Sequence, residues 1–365
     1  MEWFHALARL SGCGLSSGVL AARASKTMQI IIHGGMHKTG TSTLQALLGQ
    51  NRQALAAAGI HYPDAPGGNH WQLFGDDAVH EGKPRAALED ARALGAETLL
   101  LSGEIISAKP AAMLEMIVDA FDGAPIRFVF AFRDPCHYLP SRWSQYCRRR
   151  DSARFNDYLA FVANHDSFVD GHYDRVIERA ARHGEVTAVS YDRAVEADGD
   201  AVPALLRALG VEEIIAPAVR ETPIRRINHR QDWRLTEISR LLNGALADRR
   251  GLPQDELFPA FAAMRPAQTL FDLQVARLPV ALRDDFFAAL DEKATLVRLD
   301  ARHAALAGNA DFAQGSAQLF ANADDGRIFP ARSHSETRTT NFTWQSFQAA
   351  HPRLVATAIE LLTQP

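Results

Sequence analysis

Between Ile30 and Leu48 the chain reads IIIHGGMHKTGTSTLQALL. An apolar, β-branched run enters a turn rich in glycine and hydroxyl side chains, the turn holds one lysine, and an amphipathic helix follows. Residues of these types in this order build an anion cradle. Backbone N–H groups of the turn and of the helix N-terminus converge on one spot, and the helix dipole adds partial positive charge where a phosphate or sulfate would sit. The residues expected to line it are His37, Lys38, Thr39, Gly40, Thr41, Ser42 and Thr43. The place of the lysine is informative. An ATPase-type loop reads GxxxxGK[ST], with the lysine after its glycine, whereas here Lys38 precedes Gly40.

A second run, Ile126 to Arg150 (IRFVFAFRDPCHYLPSRWSQYCRRR), again leads from an apolar strand into a turn and a helix. Arg133 stands at the end of that strand and Ser141 follows eight positions later. An arginine fork at a strand's carboxyl edge grips a phosphate through two parallel charge-assisted hydrogen bonds, and a serine on the next helix supplies a third. Binding sites of open α/β sheets lie along that edge. A third run, Leu99-Leu100-Leu101-Ser102-Gly103-Glu104, sets a carboxylate just past a short buried strand. A carboxylate or histidine in a partly dehydrated cleft can take the proton of an acceptor hydroxyl. Glu104 is the favoured base; His70, in the loop Gly67-Gly68-Asn69-His70-Trp71, and His37, inside the cradle, are the alternatives.

The first motif resembles the 5'-phosphosulfate-binding loop of sulfotransferases that use 3'-phosphoadenosine 5'-phosphosulfate (PAPS), and the Arg133–Ser141 spacing is similar to their 3'-phosphate element. Val189-Ser190-Tyr191-Asp192-Arg193 looks like the strand and acidic turn that follow in that family. Arg225-Arg226-Ile227-Asn228 is similar to an Arg-x-Asn element of its bacterial members, which adds Arg226 and Asn228 as donor-binding residues. Those members tend to carry a serine two positions after the asparagine, where this chain has Arg230. The resemblance covers about residues 28–245. It implies a P-loop-like three-layer fold and transfer of the sulfuryl group from PAPS to a hydroxyl of a carbohydrate, lipid or small metabolite, with release of 3',5'-diphosphoadenosine. Lys38 would stabilise the departing bridging oxygen, Arg133 and Ser141 would hold the 3'-phosphate, and Glu104 would act as base. Two alternatives remain open: a P-loop kinase-like phosphotransferase, disfavoured by the displaced lysine and the lack of an acidic magnesium motif on a later strand, and an inactive nucleotide-binding protein of the same fold.

The elements that must position these residues alternate. Strand-like runs at Met28 to His33, Thr98 to Leu101, Arg127 to Phe132 and Glu185 to Ser190 are separated by helix-period segments, among them Thr43 to Ala58, Pro84 to Leu94, Pro110 to Phe121, Leu139 to Arg149, Tyr173 to His183 and Pro203 to Leu209. That is the pattern of a parallel sheet wrapped by helices. After about residue 230 strands nearly vanish, and helices such as Trp233 to Leu242 and Leu282 to Arg298 are expected to the end. The chain thus divides into an N-terminal extension, 1–27, expected to be disordered or upstream of the true start; an α/β domain, 28–245; and a mostly helical C-terminal extension packed on it, 246–365.

Composition sets the remaining bounds. With 365 residues and 47% hydrophobic content the chain can bury a large core, and a formal charge of −4 gives no basic nucleic-acid surface. Arginines do cluster at Arg142, Arg148, Arg149 and Arg150, either to draw in a polyanion or as a solvated helix end. Cys13, Cys136 and Cys147 form no CxxC pair, which fits a reduced, cytoplasmic compartment, and the 14 histidines make no HExxH motif, so no metal is expected. No run of about 18 apolar residues suggests a membrane span. The acceptor and the oligomeric state leave no transferable signature.

Overall fold

Ile30, Ile31 and Ile32 are all buried, the pattern of a strand covered on both faces, and they lie at the centre of a parallel sheet. The computed structural model describes residues 27–149, 151–164, 172–221, 232–249, 275–299, 321–322, 329 and 335–363. Its main sheet has five strands, β1 (Gln29–Gly35), β2 (Ile60–His61), β3 (Thr98–Ser102), β4 (Ile126–Phe132) and β5 (Glu185–Ser190), in the order β2-β3-β1-β4-β5. Every neighbouring pair is parallel. The segments leaving β1, β3, β4 and β5 therefore all emerge at one edge, and the order of connection reverses around β1, which makes its carboxyl end the switch point.

Helices cover both faces. Ile30 and Ile32, with Leu99, Leu101, Phe128, Phe130 and Phe132, pack against α5 (Lys83–Ala93), α6 (Ala111–Asp119), α7 (Pro135–Arg149), α8 (Phe155–Asn164) and α9 (Tyr173–Ala181). Ile31, Leu100, Val129, Ala131 and Val189 face the other way, toward α1 (Thr41–Gln50), α2 (Arg52–Ala57), α10 (Tyr191–Asp198), α11 (Val202–Leu209) and α12 (Glu212–Glu221). The one helix expected from Thr43 to Ala58 is two, broken at Asn51, whose side chain turns back to donate to the Leu47 carbonyl (2.8 Å). Between β2 and α5 lie two short helices, α3 (Trp71–Phe74) and α4 (Asp76–His80).

The C-terminal part differs from the helical expectation. Alongside α13 (Trp233–Arg249), α14 (Val280–Glu292), α15 (Trp344–Ala350) and α16 (Pro352–Thr363) it holds an antiparallel pair, β6 (Ala294–Leu299) with β7 (Ser335–Thr340). The helix expected to run on to Arg298 stops at Glu292. The following Thr-Leu-Val-Arg-Leu has β-branched residues and alternates in exposure, so it suits a half-buried ribbon.

This region is joined to the sheet through α7. Thr236 and Ser144 share a hydroxyl hydrogen bond (2.8 Å), and Asn243 donates to the carbonyls of Cys147 (2.5 Å) and Asp151 (3.2 Å). Pro140, inside α7, has no N–H for the Cys136 carbonyl four residues back, and Ser335 at the start of β7 donates its hydroxyl there instead. Asn322 covers the edge of β5, accepting from Ser190 N–H and donating to Ser190 carbonyl, both at 2.9 Å. Cys136 and Cys147 are buried thiols in the core, and Cys13 lies outside the described residues.

Candidate functional site

The glycines after the β1 isoleucines are required by packing. A Cβ on Gly35 would lie 2.5 Å from the backbone nitrogen of Ala131 on β4, and Gly35 itself has φ 113°. Its N–H donates to Ser107 Oγ (2.7 Å), and Met36 N–H donates to the Ala131 carbonyl (2.9 Å). The loop is thereby tied to both neighbours of β1. It then turns sharply: Lys38 adopts φ 68°, left-handed backbone that costs a non-glycine residue about 1 to 3 kcal/mol. Thr39 is buried and donates its hydroxyl to the Met36 carbonyl (2.6 Å), which closes the turn. Gly40, at φ 80°, opens α1, and no side chain caps that helix, so its first N–H groups face the turn. A strained, glycine-hinged loop ending at an uncapped helix N-terminus is the geometry of an anion site.

Arg133 comes to this loop from β4. Its Nη1 donates to the Lys38 carbonyl (3.4 Å), its guanidinium lies 5.1 Å from the centre of the Tyr191 ring, and its buried Nε has no hydrogen-bond partner. Its backbone carbonyl accepts the Tyr173 hydroxyl (2.7 Å). The following turn is held by Asp134, which accepts from Cys136 N–H (2.8 Å) at the start of α7 and donates its own N–H to Asp192 (2.5 Å). Asp192 also pairs with His137 Nδ1 (3.1 Å), a hydrogen bond that raises the imidazole's proton affinity above its ordinary value. Tyr191 and Asp192 of the acidic turn therefore buttress the arginine and its turn. Ser141 is half-buried on α7, two turns along. Of the arginine cluster, Arg142 is buried over the Tyr146 ring and donates to Gln145 (3.0 Å), and Arg148 donates to the Ser144 carbonyl (3.3 Å).

Glu104 begins a 3-10 turn, Glu104–Ala108, directly after β3. Arg179 of α9 clamps the far end of that turn, donating to the carbonyls of Ser107 (3.0 Å) and Lys109 (2.6 Å). One Glu104 oxygen accepts the hydroxyl of Thr41, the first residue of α1, and the other accepts Asn69 Nδ2 (3.3 Å). Burial pushes the carboxyl up, but the His37 charge, the Thr41 hydroxyl, its own backbone N–H and His33 together pull it below the ordinary glutamate value. Glu104 is thus ionised, close to the turn that leads into α1, and held by neutral donors.

His70 has another place. It is buried, its Nδ1 accepts the Ser102 N–H (2.9 Å), and its Nε2 therefore carries the proton and donates to the Pro63 carbonyl (2.9 Å). Burial lowers its proton affinity, and with both nitrogens engaged it braces the end of β3. The neighbour that reaches Glu104 is Asn69, whose Oδ1 also accepts Trp71 N–H (3.0 Å). Tyr62 adds to this wall, donating to the Gly68 carbonyl (2.5 Å). Gly68 lies so close to α1 that a Cβ there would sit 2.0 Å from the Gln45 carbonyl oxygen.

Two residues near the site carried no sequence signal as functional. Asn69 was overshadowed by the histidine beside it. His33 is a buried imidazole on β1 whose Nδ1 meets Ser102 Oγ (2.8 Å) and whose Nε2 has no partner. Burial, opposed by the Glu104 charge, lowers its pKa to about 4. A polar residue closing an otherwise apolar strand was the available clue. Among the described residues no group of three or more His, Cys, Asp and Glu side chains could hold a metal ion, and no helix is long and apolar enough to cross a membrane. Arg226 and Asn228 lie outside the described residues. Comparison of the sequence with protein-family models gives no match, and neither does comparison with curated proteins, so the functional reading rests on the site's geometry and chemistry.

Proposed function

We propose that this chain is a sulfotransferase that moves the sulfuryl group of PAPS to a hydroxyl acceptor, using a P-loop-like arrangement of its parallel sheet. The observation that carries the reading is the convergence of three elements at the carboxyl edge beside β1. The uncapped loop of Lys38 to Thr43, the Arg133 guanidinium resting on the Lys38 carbonyl, and the Glu104 carboxylate on Thr41 come from three different strands. In this reading the backbone N–H groups and hydroxyls from Thr39 to Thr43 hold the 5'-phosphosulfate, and Arg133 with Ser141 holds the 3'-phosphate. Glu104 takes the proton of the acceptor hydroxyl, whose oxygen forms the new bond to sulfur. The bond between sulfur and the bridging oxygen breaks, and Lys38 stabilises the charge that gathers on the departing 3',5'-diphosphoadenosine.

The test is donor recognition without turnover. By calorimetric titration 3',5'-diphosphoadenosine should bind about 10- to 100-fold more tightly than 5'-AMP, since charge-assisted bonds to the 3'-phosphate are worth about 1.5 to 3 kcal/mol each. The difference should collapse in Arg133→Ala. One observation favours a second reading. A hydroxyl at the start of the loop helix, paired with a carboxylate at a neighbouring strand end, is also how phosphoryl-transfer loops hold magnesium, and Thr41 with Glu104 makes such a pair. Preference for ATP with magnesium over 3',5'-diphosphoadenosine would move the assignment to a phosphotransferase.

A further inference from the structure

The Thr41 hydroxyl has one proton to give, and in this structure it goes to Glu104. Thr41 is buried and is the first residue of α1, so the same hydroxyl lies where an anion on that helix N-terminus would look for a donor. A phosphosulfate held there and the Glu104 carboxylate compete for a single hydrogen bond. We propose that Thr41 is the positioning residue of the base, and that the donor activates Glu104 by drawing the Thr41 hydrogen bond away from it, so that the donor must bind before the acceptor. The inference rests on the sulfotransferase reading above.

Two changes reach Glu104 when the donor arrives, and both have the same sign. It loses a hydrogen bond that favours its ionised form, and it gains a negatively charged neighbour. Its proton affinity rises, which turns a weakly basic carboxylate into a base better matched to neutral pH. Asn69 keeps the other oxygen in place meanwhile, being itself fixed by Trp71 N–H.

Among the described residues, three titratable groups interact electrostatically with Glu104. His33 faces it from β1, His37 from the loop, and the Tyr62 phenol from the segment after β2. Tyr62 stays protonated, because burial raises it far above its ordinary value. The two histidines are therefore the competing sites for any proton taken up with the donor.

The experiment is titration calorimetry of the full chain with 3',5'-diphosphoadenosine near pH 6, in two buffers of different ionisation enthalpy, which reads the protons exchanged on binding. Wild type should take up more than Glu104→Gln, on the order of a few tenths of a proton. Thr41→Val, which has no proton to reassign, should lose much of that difference, and Thr41→Ser should restore it. Equal uptake in wild type and Glu104→Gln would assign the proton to His37 or His33 and overturn the inference while leaving donor binding intact. Equal uptake in wild type and Thr41→Val would remove the hydroxyl from the linkage with the same result. If the wild type binds no 3',5'-diphosphoadenosine, the sulfotransferase reading fails and the inference fails with it. The comparison with Glu104→Gln is decisive even if the valine variant does not fold.

Discussion

Two glutamates, the partly buried Glu104 at the sheet edge and the fully buried Glu237 on α13, are treated in opposite ways. Glu237 and Arg240 are fully buried, and every part of their charge is answered. Arg240 donates to Glu237 from Nε (3.1 Å) and Nη2 (2.5 Å), while Thr339, Thr340 N–H and the Thr340 hydroxyl fill the remaining carboxylate sites at 2.6, 3.2 and 3.0 Å. Arg240 also reaches the carbonyls of Phe342 (3.0 Å) and Ser152 (3.3 Å). This pair ties α13 to β7 and to the segment after α7. Glu104 has no such complement. Among the described residues its only side-chain partners are one hydroxyl and one amide, in the field of His37 and His33, beside a loop with left-handed backbone and an uncapped helix end. A closed network specifies packing, whereas an open one leaves capacity for a ligand.

The comparison breaks if the two glutamates respond alike to substitution. Glu104→Gln should lower turnover by about 10²- to 10⁴-fold, the usual reach of a general base, and leave the denaturation midpoint close to wild type. Glu237→Ala should do the reverse. Arg240 would remain buried without its partner, at a cost of about 3 to 5 kcal/mol in stability, read by chemical denaturation. A strongly destabilised Glu104→Gln with ordinary turnover would make that residue structural as well. Somewhat smaller, and specific to the transition state, is Lys38→Ala. Turnover should fall by about 10²- to 10³-fold while affinity for 3',5'-diphosphoadenosine changes little, because the bridging oxygen gains its charge only as the bond breaks. Matching losses in binding and turnover would make Lys38 an ordinary anion contact.

What was legible in the sequence follows from the same contrast. Parallel strands buried on both faces read as continuous apolar runs, so β1, β3, β4 and β5 were visible, and the glycine-rich turn after β1 announced its own backbone needs. β2 was not, since Ile60 and His61 alone make no pattern. The β6–β7 ribbon was hidden because its partners are far apart in sequence and Ser335 to Thr340 is polar throughout. Glu237 and Arg240, three residues apart on a helix, look like a solvated pair, and only the arrival of Thr339, Thr340 and Phe342 from the far end of the chain buries them. At the site, residue types near strand ends pointed to Lys38, Arg133 and Glu104. That Asn69 rather than His70 would touch Glu104 depends on the direction the loop takes after β2, which Gly68 and Tyr62 set by packing against α1.

The smallest expected effect concerns His33 and sharpens the contrast by pH. Its folded pKa of about 4 lies below the ordinary value of 6.5, so the unfolded chain binds a proton that the folded chain refuses. Stability is therefore whole above about pH 6.5 and falls as the pH drops toward 4, by about 1 to 1.5 kcal/mol between pH 7.5 and 5.5 from this group alone. His61 and His70, also lowered by burial, add to the fall, and His137, raised by Asp192, opposes it. Glu104 acts in the same direction but only below its unfolded value of 4.5, so the window from pH 5 to 7 belongs to the histidines. Proton NMR of the imidazole ring separates His33 from the rest without any substitution. Its carbon-bound protons should hold a constant shift down to pH 5 and move only near pH 4. A midpoint between 6 and 7 would mean that His33 is solvated and that the strand beneath Glu104 is open to water.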